Sequence, residues 1–470
     1  MSQKQTTQQI DPTILASPNF RESLGDGLIR RWSTAADTEK IGLLLSTVHR
    51  DSADEPLNVC SQDLARIFAS ESFPYMDAGD WAVVEDSSQP GQPIVACTAL
   101  WRHRWHYADI SFAIGRPEYV ATAPDYRNRG LVRSVFEMIH ARSESEGHLL
   151  QAITGISYFY RQFGYEYVLD LEGSRTVYFS QIPALKAGES EAYQLRPATV
   201  EDIPQLRNLY DQQRGSSLLW HELDEPYWRF IVGYWQEPRD AATVGIKIRF
   251  LMVVDSAGEV VGSVAVRVRR WGSALNVAPA ISNAAGIDRV GLMASILRLL
   301  RQQGEQTPGI EATTPSCSEL RLFLGIEHPI YELLGEKVAL RVERPYAWYV
   351  RIPDLPAFLR LIAPVLEERL ARSLLAGYSG ELKIDLYRGG VQLSFTQGKL
   401  TQVAPWKAAL YGEEATAGSP PLLFLQLLLS YRSLDELRAF YPDVWASQTS
   451  KLLIDTLFPK VPSNVLEPLS

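Results

Sequence analysis

The sequence is poor in cysteine and has no long apolar run. Its three cysteines, Cys60, Cys97 and Cys317, lie far apart among 470 residues, and none belongs to a C-x-x-C pair. This spacing argues against a disulfide framework or a zinc knuckle and favours a reducing compartment, so we expect a cytoplasmic protein. The most apolar run, residues 422–429, is far shorter than the roughly 20 residues of a membrane helix, so we expect no membrane span.

The chain also lacks an excess of basic residues and a leader-like N-terminus. It carries 46 Lys and Arg against 55 Asp and Glu, a net charge of −9. An acidic surface disfavours binding to nucleic acid and can attract cationic ligands, although it can equally serve solubility alone. Residues 1–13 are polar and lack the basic-then-apolar pattern of a signal peptide. We therefore expect no nucleic-acid partner.

A repeated pattern indicates that part of the chain is duplicated. The order Arg-x-small-Thr-x-x-Asp starts at Arg31 and again at Arg196, an offset of 196 − 31 = 165 residues. Each copy reads as a short strand followed by a capped helix. Each is followed by two β-rich segments around a turn, residues 81–85 with 94–100 and residues 250–254 with 260–266, which predict a hairpin. The offset and the shared order predict two related domains.

The last 115 or so residues have a different pattern. Asp354 can cap an amphipathic helix that runs towards Leu375 and kinks at Pro364. Apolar residues then alternate over 382–386 and 391–395 and return at Leu400, which predicts a three-stranded meander. We predict an α+β (mixed α/β) fold with a flexible tail over residues 1–25 and domains at 26–185, 190–350 and 353–470.

The segment from Tyr119 to Tyr165 carries the chemistry. A strand at residues 119–123 ends at Pro124, and residues 126–133 then read Tyr-Arg-Asn-Arg-Gly-Leu-Val-Arg before a helical pattern. A strand, a glycine turn and a helix N-terminus together form an anion site, because unpaired amides and the helix dipole favour negative charge. The arginines of this run would add charge-assisted bonds to a pyrophosphate, or they are simply a solvated helix start.

This run resembles motif A of the GNAT acetyltransferase superfamily, and the aromatic segment at residues 159–165, Phe-Tyr-Arg-Gln-Phe-Gly-Tyr, is similar to its flanking element. The closer resemblance is to the Eis-like (enhanced intracellular survival) acetyltransferases, although Val132 stands where the superfamily has a small residue. Those proteins consist of two GNAT-like domains with central mixed sheets and a sterol-carrier-protein-like C-terminal domain. The resemblance therefore implies the same three domains here.

The resemblance also implies a cofactor site and an activity. The cofactor would be acetyl-CoA, with no metal. Its pantetheine arm would pair with the backbone of Val120, Ala121 and Thr122, like an added strand. Gly155 and Ile156 would line its acetyl end, and Tyr160 would be the general acid. The residues expected to hold the pyrophosphate are Arg127, Asn128, Arg129, Gly130, Leu131, Val132 and Arg133. The second GNAT-like half lacks an Arg-rich loop before its helix and is expected to be structural.

The expected reaction is direct attack of a primary amine on the thioester through a tetrahedral intermediate. A free alkylamine has a pKa of about 10.4, so the enzyme must remove a proton before attack. In Eis-like proteins the C-terminal carboxylate is the base, and here that group belongs to Ser470. The final residues depart from the aromatic ending of that family, and Glu118, His103 or His106 acting through water are alternatives. No carboxylate or cysteine completes a metal site beside the two histidines.

Several readings of function and substrate stay open at this point. The acceptor is an aminoglycoside-like or polyamine small molecule, or a lysine side chain. Eis-like relatives are multimers, so a homo-oligomer is expected. The alternative function is a non-catalytic acyl-CoA- or lipid-binding or interaction protein on the same fold. A cluster before the cofactor strand either lines the substrate cleft or covers a core edge, and it consists of Trp101, His103, Trp105, His106 and Tyr107.

Overall fold

The computed structural model describes residues 10–50, 52, 54–213, 217–233, 247–335, 337–407, 415–463 and 465. The chain divides into two compact units. Unit 1 comprises Met1–Arg104, Phe112–Tyr165 and Val350–Phe358, and unit 2 comprises Trp105–Ser111, Glu166–Tyr349 and Leu359–Ser470. Helices and strands are mixed in both, which confirms the predicted α+β class.

The helices and strands follow one another along the chain as α1 (Pro12–Ala16), β1 (Arg21–Gly25), β2 (Leu28–Trp32), α2 (Thr38–Val48), α3 (Val59–Phe68), β3 (Trp81–Asp86), β4 (Ile94–Tyr107), β5 (Ile110–Thr122), α4 (Leu131–Ser145), β6 (Gln151–Ile153), β7 (Glu166–Leu171), β8 (Ser174–Tyr178), β9 (Tyr193–Pro197), α5 (Ile203–Gln213), β10 (Leu219–His221), α6 (Glu225–Val232), β11 (Ile248–Asp255), β12 (Val260–Arg267), β13 (Ala274–Ile281), α7 (Arg289–Gln306), β14 (Glu319–Leu322), α8 (Ile330–Leu334), β15 (Arg341–Glu343), β16 (Tyr346–Arg351), α9 (Leu355–Leu361), α10 (Ala363–Ala371), β17 (Gly380–Asp385), β18 (Gly390–Thr396), β19 (Lys399–Trp406), β20 (Ala417–Gly418), α11 (Pro421–Leu428), α12 (Leu434–Phe440), β21 (Trp445–Ala446) and α13 (Gln448–Leu457).

Unit 1 is built on a sheet in which β1 to β6 are neighbours in sequence order. The strands β1 to β4 pair antiparallel, as the predicted hairpin at residues 81–100 requires, with Trp81 opposite Ala99. The strands β5 and β6 pair in parallel, with Gly115 opposite Gln151. Helix α4 connects these two strands, so its N-terminus lies where β5 ends. This crossover is what positions the candidate site.

The larger part of unit 2 contains a seven-stranded sheet in the order β15-β8-β14-β13-β12-β11-β9. Its β11–β12 pair is the second predicted hairpin, and β13 and β14 are parallel like β5 and β6. One face of this sheet packs against α7 through large aliphatic side chains, among them Val264, Leu275 and Ile296. Burial of these side chains forms the core, each stabilising the fold by roughly 1.5–3 kcal/mol relative to exposure.

The C-terminal part of unit 2 has its own sheet, in the order β19-β18-β17-β20-β21. The strands β17, β18 and β19 form the predicted meander, with Leu382 opposite Leu393 and Leu393 opposite Val403. The alternate apolar residues of β17 and β18 are buried, as the alternating sequence predicted. Helix α12 begins at a capping box formed by Ser433 and Glu436.

The repeated sequence pattern produces the same local structure twice. Arg31 donates two hydrogen bonds of 2.8 Å to Asp37, and Arg196 donates two of 2.7 Å to Asp202. In both copies the aspartate also accepts from the amide of the threonine three residues earlier. Each aspartate thus caps a helix start and anchors the preceding strand. The two copies share one capped turn.

Two expectations need correction. Residues 12–25 of the expected flexible tail form α1 and β1, because Asp11 caps the helix and β1 pairs with β2. The helix expected from Asp354 to Leu375 is two helices, α9 and α10, that break at Ile362 and end at Ala371. Pro364 causes the break, since proline lacks the amide that the helical ladder needs. In the part of the chain that is described, no helix combines the length and apolarity that crossing a bilayer demands.

Candidate active site

The loop before α4 has an unusual backbone. Asn128 and Gly130 adopt positive φ values of 62° and 76°, and Gly130 is the residue immediately before the helix. Glycine takes this left-handed conformation without strain, and asparagine is among the few other residues that tolerate it. A Cβ added to Gly130 would meet no atom within 4 Å, so the space beside it is open. The loop therefore lets a ligand approach the helix end closely.

The first amides of α4 have no acceptor within the described chain. No side chain caps Gly130, and the amides of Leu131, Val132 and Arg133 donate to none of the described groups. The 15-residue helix directs the positive end of its dipole at the same point. Unpaired amides at such an end form an anion site.

Three arginines add positive charge to this helix end. Arg127, Arg129 and Arg133 are exposed, and none forms an ion pair with a described residue. The guanidinium of Arg129 lies over the ring of Tyr126, 5.1 Å from its centroid, and the Tyr126 hydroxyl donates to Asp86 at 2.6 Å. These contacts orient Arg129 without neutralising it.

Arg133 is held in a similar way. It lies over the ring of Phe163 at 5.4 Å and donates to Gln162 at 3.2 Å. A cavity of about 560 Å³ borders Arg129, Gly130 and Leu131, with Asp26 as the acidic residue in its lining. The loop therefore combines an open surface, free amides and uncompensated cationic charge, which together suit a diphosphate.

The strand that leads to this loop is bent at Tyr119. This residue has a φ of 53° within β5, a left-handed conformation that interrupts the regular ladder, as at a β-bulge. Its ring packs against Phe68 at 5.0 Å. On one side of the bend, the hydroxyl of Thr98 on β4 donates to the carbonyl of Glu118 at 3.1 Å. The sequence reasoning missed this bend, because nothing in the sequence marks an aromatic residue for positive φ.

Beyond the bend lie the three residues expected to bind the pantetheine arm. The described pairing between β5 and β6 consists of Gly115 opposite Gln151, so it does not extend to Val120, Ala121 or Thr122. The hydroxyl oxygen of Thr122 is buried and has no hydrogen-bond partner among the described residues. Buried polar groups are nearly always paired, so an unpaired one here fits a ligand that lies along this strand.

Tyr160 lies beside Gly155. A Cβ placed on Gly155 would be 3.5 Å from the Tyr160 hydroxyl oxygen, and Gly155 has a φ of 120°, which favours glycine. The tyrosine is only 3% exposed, and its ring contacts Phe136 and Phe159. The neighbouring Ile156 is 63% exposed. The structure thus brings Gly155 and Tyr160 together and leaves Ile156 largely in solvent.

The residues considered as bases have different surroundings. The carboxylate of Glu118 accepts from the buried guanidinium of Arg116 at 2.6 Å, and Arg116 lies over the ring of Trp101. His103 is 2% exposed and its ring packs 4.2 Å from Tyr75. Ser470 lies outside the described residues. None of the described His, Cys, Asp and Glu side chains form a group suited to a metal.

The aromatic cluster before the cofactor strand is mainly core. Trp101 is almost fully buried in unit 1, and Trp105 and Tyr107 are almost fully buried in unit 2. In unit 2, His106 stacks on Trp220 at 3.5 Å and is bonded to Glu222 at 2.9 Å. This burial favours the core reading over the reading as a cleft lining.

The corresponding helix in unit 2 has a closed N-terminus. Helix α7 follows β13 as α4 follows β5, but its preceding residue is Asp288, whose carboxylate accepts from the amide of Gly291 at 3.1 Å. The sequence analysis expected no Arg-rich loop before this helix, and a protein carboxylate occupies the position where an anion would bind.

Comparison with known proteins agrees with this geometry. Residues 33–168 match the family described as an acetyltransferase (GNAT) domain, which includes the loop at residues 127–133 and Tyr160. No curated protein matches the chain. The segment that matches this family therefore includes the open helix end.

Solved structures resemble the chain over nearly its whole length. A GCN5-related N-acetyltransferase from Anabaena variabilis ATCC 29413 has a TM-score of 0.64 and 14% identity, over 93% of this chain and 99% of that one. A probable N-acyltransferase from Enterococcus faecalis V583 has a TM-score of 0.65 and 15% identity, over 93% of this chain and 98% of that one. Eis1 from Mycobacterium abscessus has a TM-score of 0.57 and 12% identity, over 93% of this chain and 99% of that one. At these identities the likeness shows the fold alone.

Proposed function

We propose that the protein is an acetyl-CoA-dependent N-acetyltransferase that acetylates a primary amine. The observation that carries the proposal is the open N-terminus of α4, where first-turn amides without described acceptors meet three arginines without described ion-pair partners. A helix end of this kind binds phosphate groups. The GNAT family match over residues 33–168 supports acetyl-CoA as the acyl donor.

The expected binding roles follow from the local chemistry. Arg127, Asn128, Arg129 and Gly130, with the first-turn amides of residues 131–133, would hold the pyrophosphate through charge-assisted hydrogen bonds. The backbone of β5 beyond Tyr119 would pair with the pantetheine amides like an added strand, and the Thr122 hydroxyl would gain a partner. Gly155 and Ile156 would line the acetyl end.

Proton transfers define the roles of the remaining residues. The bound thioester supplies the acetyl group, and the amine must lose a proton before it attacks. Backbone amides of residues 120–122 would stabilise the negative charge that develops on the carbonyl oxygen. Tyr160 is a suitable proton donor to the leaving thiolate, because a phenol with an ordinary pKa of about 10 is neutral at pH 7. The Ser470 carboxylate, or Glu118 or a histidine through water, would receive the amine proton.

The acceptor class follows from charge. A net charge of −9 favours a cationic amine, such as an aminoglycoside-like compound, a polyamine or a lysine side chain. We further propose the domains at 26–185, 190–350 and 353–470, a sterol-carrier-like character for the last of them, a cytoplasmic location and a homo-oligomeric state.

The test is release of free CoA thiol from acetyl-CoA in the presence of a panel of amines, with the binding constant of CoA measured by calorimetry. We expect amine-dependent release and measurable binding of CoA. Binding of CoA without turnover on any amine would instead indicate the non-catalytic acyl-CoA-binding alternative.

Two variants separate binding from chemistry. Arg129→Glu reverses a charge at the helix end and is expected to abolish CoA binding, whereas Arg388→Glu, the same change on an exposed turn of unit 2, is expected to leave it intact. Unaltered CoA affinity in Arg129→Glu would contradict the pyrophosphate assignment.

Tyr160→Phe removes only the hydroxyl. We expect turnover to fall by about 10²–10⁴-fold with nearly unchanged CoA affinity, the range typical of a lost general acid. A variant that turns over as fast as the wild type would remove Tyr160 from the mechanism.

A further inference from the structure

Unit 2 contains a cavity of about 160 Å³ between the seven-stranded sheet and the helices α5 and α6. Its floor consists of β11, β12 and β13, and its roof includes Leu206 and Tyr210 of α5 and Trp228 of α6. All of its lining residues belong to unit 2. A cavity of about 150 Å³ with apolar walls is large enough for a benzene-sized ring.

The cavity exists because the two faces of the sheet carry side chains of different size. The register places Ala265 opposite Ala278 and Ser263 opposite Ala280, and these four residues face the cavity. Intervening residues point to the other face, where large aliphatic side chains fill the space against α7. The small side chains leave a gap under α5 that a well-packed core would have filled.

Three side chains that line this gap have polar groups without hydrogen-bond partners among the described residues, namely Ser263, Asn276 and Trp228, whose Nε1 is buried. Ser263 is only 6% exposed, and no described group forms a hydrogen bond with its hydroxyl. Asn276 also lines the cavity, and its amide has no hydrogen-bond partner among the described residues. A hydroxyl and an amide that line a cavity without protein partners can bond to a ligand, so Ser263 and Asn276 point to a ligand with a hydrogen-bonding group.

The charged lining residues determine the charge of the ligand. Burial lowers the pKa of the Arg267 guanidinium, and the nearby Glu172 carboxylate acts in the opposite direction. Glu172 and Arg267 are the charged residues of the lining, one acidic and one basic, so the lining has no net formal charge. A charged ligand would introduce an uncompensated charge among apolar side chains, whereas a neutral one would not.

We propose that this cavity is a second ligand site, which takes a neutral, ring-sized apolar molecule carrying one hydroxyl group that bonds to Ser263 and Asn276. The site requires no acetyl-CoA and is independent of the proposed acetyl transfer. It would give the second half of the chain a binding role of its own.

The test uses phenol as the probe, with benzoate and benzylamine as probes of the same ring size and opposite charges. Calorimetry and thermal melting of the full chain are expected to show phenol binding at least about tenfold tighter than either charged probe, since one unpaired buried charge costs more than one decade of affinity. Absence of phenol binding, or tighter binding of benzoate or benzylamine, would overturn the proposal.

Variants locate the bound probe. Ala265→Leu fills the cavity from its floor and is expected to abolish phenol binding with an unchanged or higher Tm, and Ala278→Leu provides a second filling variant if the first does not fold. Ala284→Leu, the same change at an exposed loop residue, is the control and is expected to bind phenol normally. Wild-type affinity in a folded filling variant would refute this location.

The hydroxyl contact has its own readout. Ser263→Ala is expected to weaken phenol binding by about 2–13-fold, the loss of one neutral hydrogen bond, and to leave the affinity for toluene unchanged. An equal loss for both probes would show that Ser263 does not recognise the hydroxyl. None of these measurements depends on turnover, so failure here and failure of the proposed acetyl transfer are distinguishable.

Discussion

The most direct test of the proposed anion site at the N-terminus of α4 places a carboxylate there, as unit 2 has at the N-terminus of α7. Replacing Gly130 with Asp places a carboxylate before α4, where Asp288 stands before α7 and accepts from the amide of Gly291 at 3.1 Å. Gly130→Asn is the matched control, because asparagine has the same size and also tolerates the positive φ of 76°. The two variants differ in one unit of charge.

The expected magnitude follows from electrostatics. A carboxylate that occupies these amides repels a phosphate, and two unit charges about 4 Å apart at an effective dielectric constant of about 20 interact by about 4 kcal/mol. This energy corresponds to about a thousandfold in Kd. The fold itself should be little affected, because the roughly 1 kcal/mol gained from a helix cap offsets the roughly 1–2 kcal/mol cost of a left-handed conformation.

Calorimetry of CoA binding at two salt concentrations measures this difference. We expect Gly130→Asp to bind about a thousandfold more weakly than Gly130→Asn at low salt, with a smaller gap at high salt because ions screen exposed charges. Equal Kd values for the two variants would refute the reasoning, since they would mean that no phosphate lies near the first amides of α4.

Two predictions concern stability. Arg31→Met should lower the free energy of unfolding by about 3–5 kcal/mol, because it leaves the buried carboxylates of Asp37 and Glu85 without their shared partner. Arg196→Met removes the more exposed arginine of the second copy and should lower the free energy of unfolding by about 1 kcal/mol. Similar losses of unfolding free energy for the two variants in urea titrations would contradict the reasoning from burial. Burial lowers the pKa of His140 to about 3, so the unfolded state, with a pKa of about 6.5, takes up the proton first. Stability should therefore fall as the pH drops from about 6.5 towards 3, and His140→Gln should flatten that slope in urea titrations at successive pH values; an unchanged slope would exclude this histidine as the cause.

Local sequence rules were sufficient for much of the fold. Both hairpins follow from pairs of β-rich apolar segments around a turn, and the C-terminal meander follows from apolar residues that alternate around glycine-containing turns. The two capped turns at Asp37 and Asp202 follow from side chains that bond to a backbone three residues away. Such features depend on neighbours in sequence and need no knowledge of the tertiary structure.

The features that the sequence did not predict depend on long-range packing. The positive φ of Tyr119 occurs where its ring packs against Phe68, which is far away in the sequence. The C-terminal helix breaks beside Pro364, where the sequence predicted a kink, but it ends at Ala371, before the expected Leu375. For the candidate site, the sequence indicated the loop and its arginines, but the unpaired Thr122 hydroxyl required the splay of β5 from β6.

The duplication explains why two halves with one fold can carry different sites. Both copies have the arginine–aspartate pair that anchors the first strand to its helix. The helix ends differ, because the glycine before α4 leaves the first amides without a described acceptor, as a phosphate would require, whereas the aspartate before α7 already accepts from the amide of Gly291. On the opposite sheet face of the second half, Ala265 and Ala278 leave a cavity instead of completing a core. A second half whose α7 is capped by Asp288, and whose cavity has a serine hydroxyl without a described partner, is therefore better explained by the proposed second ligand than by a purely structural role.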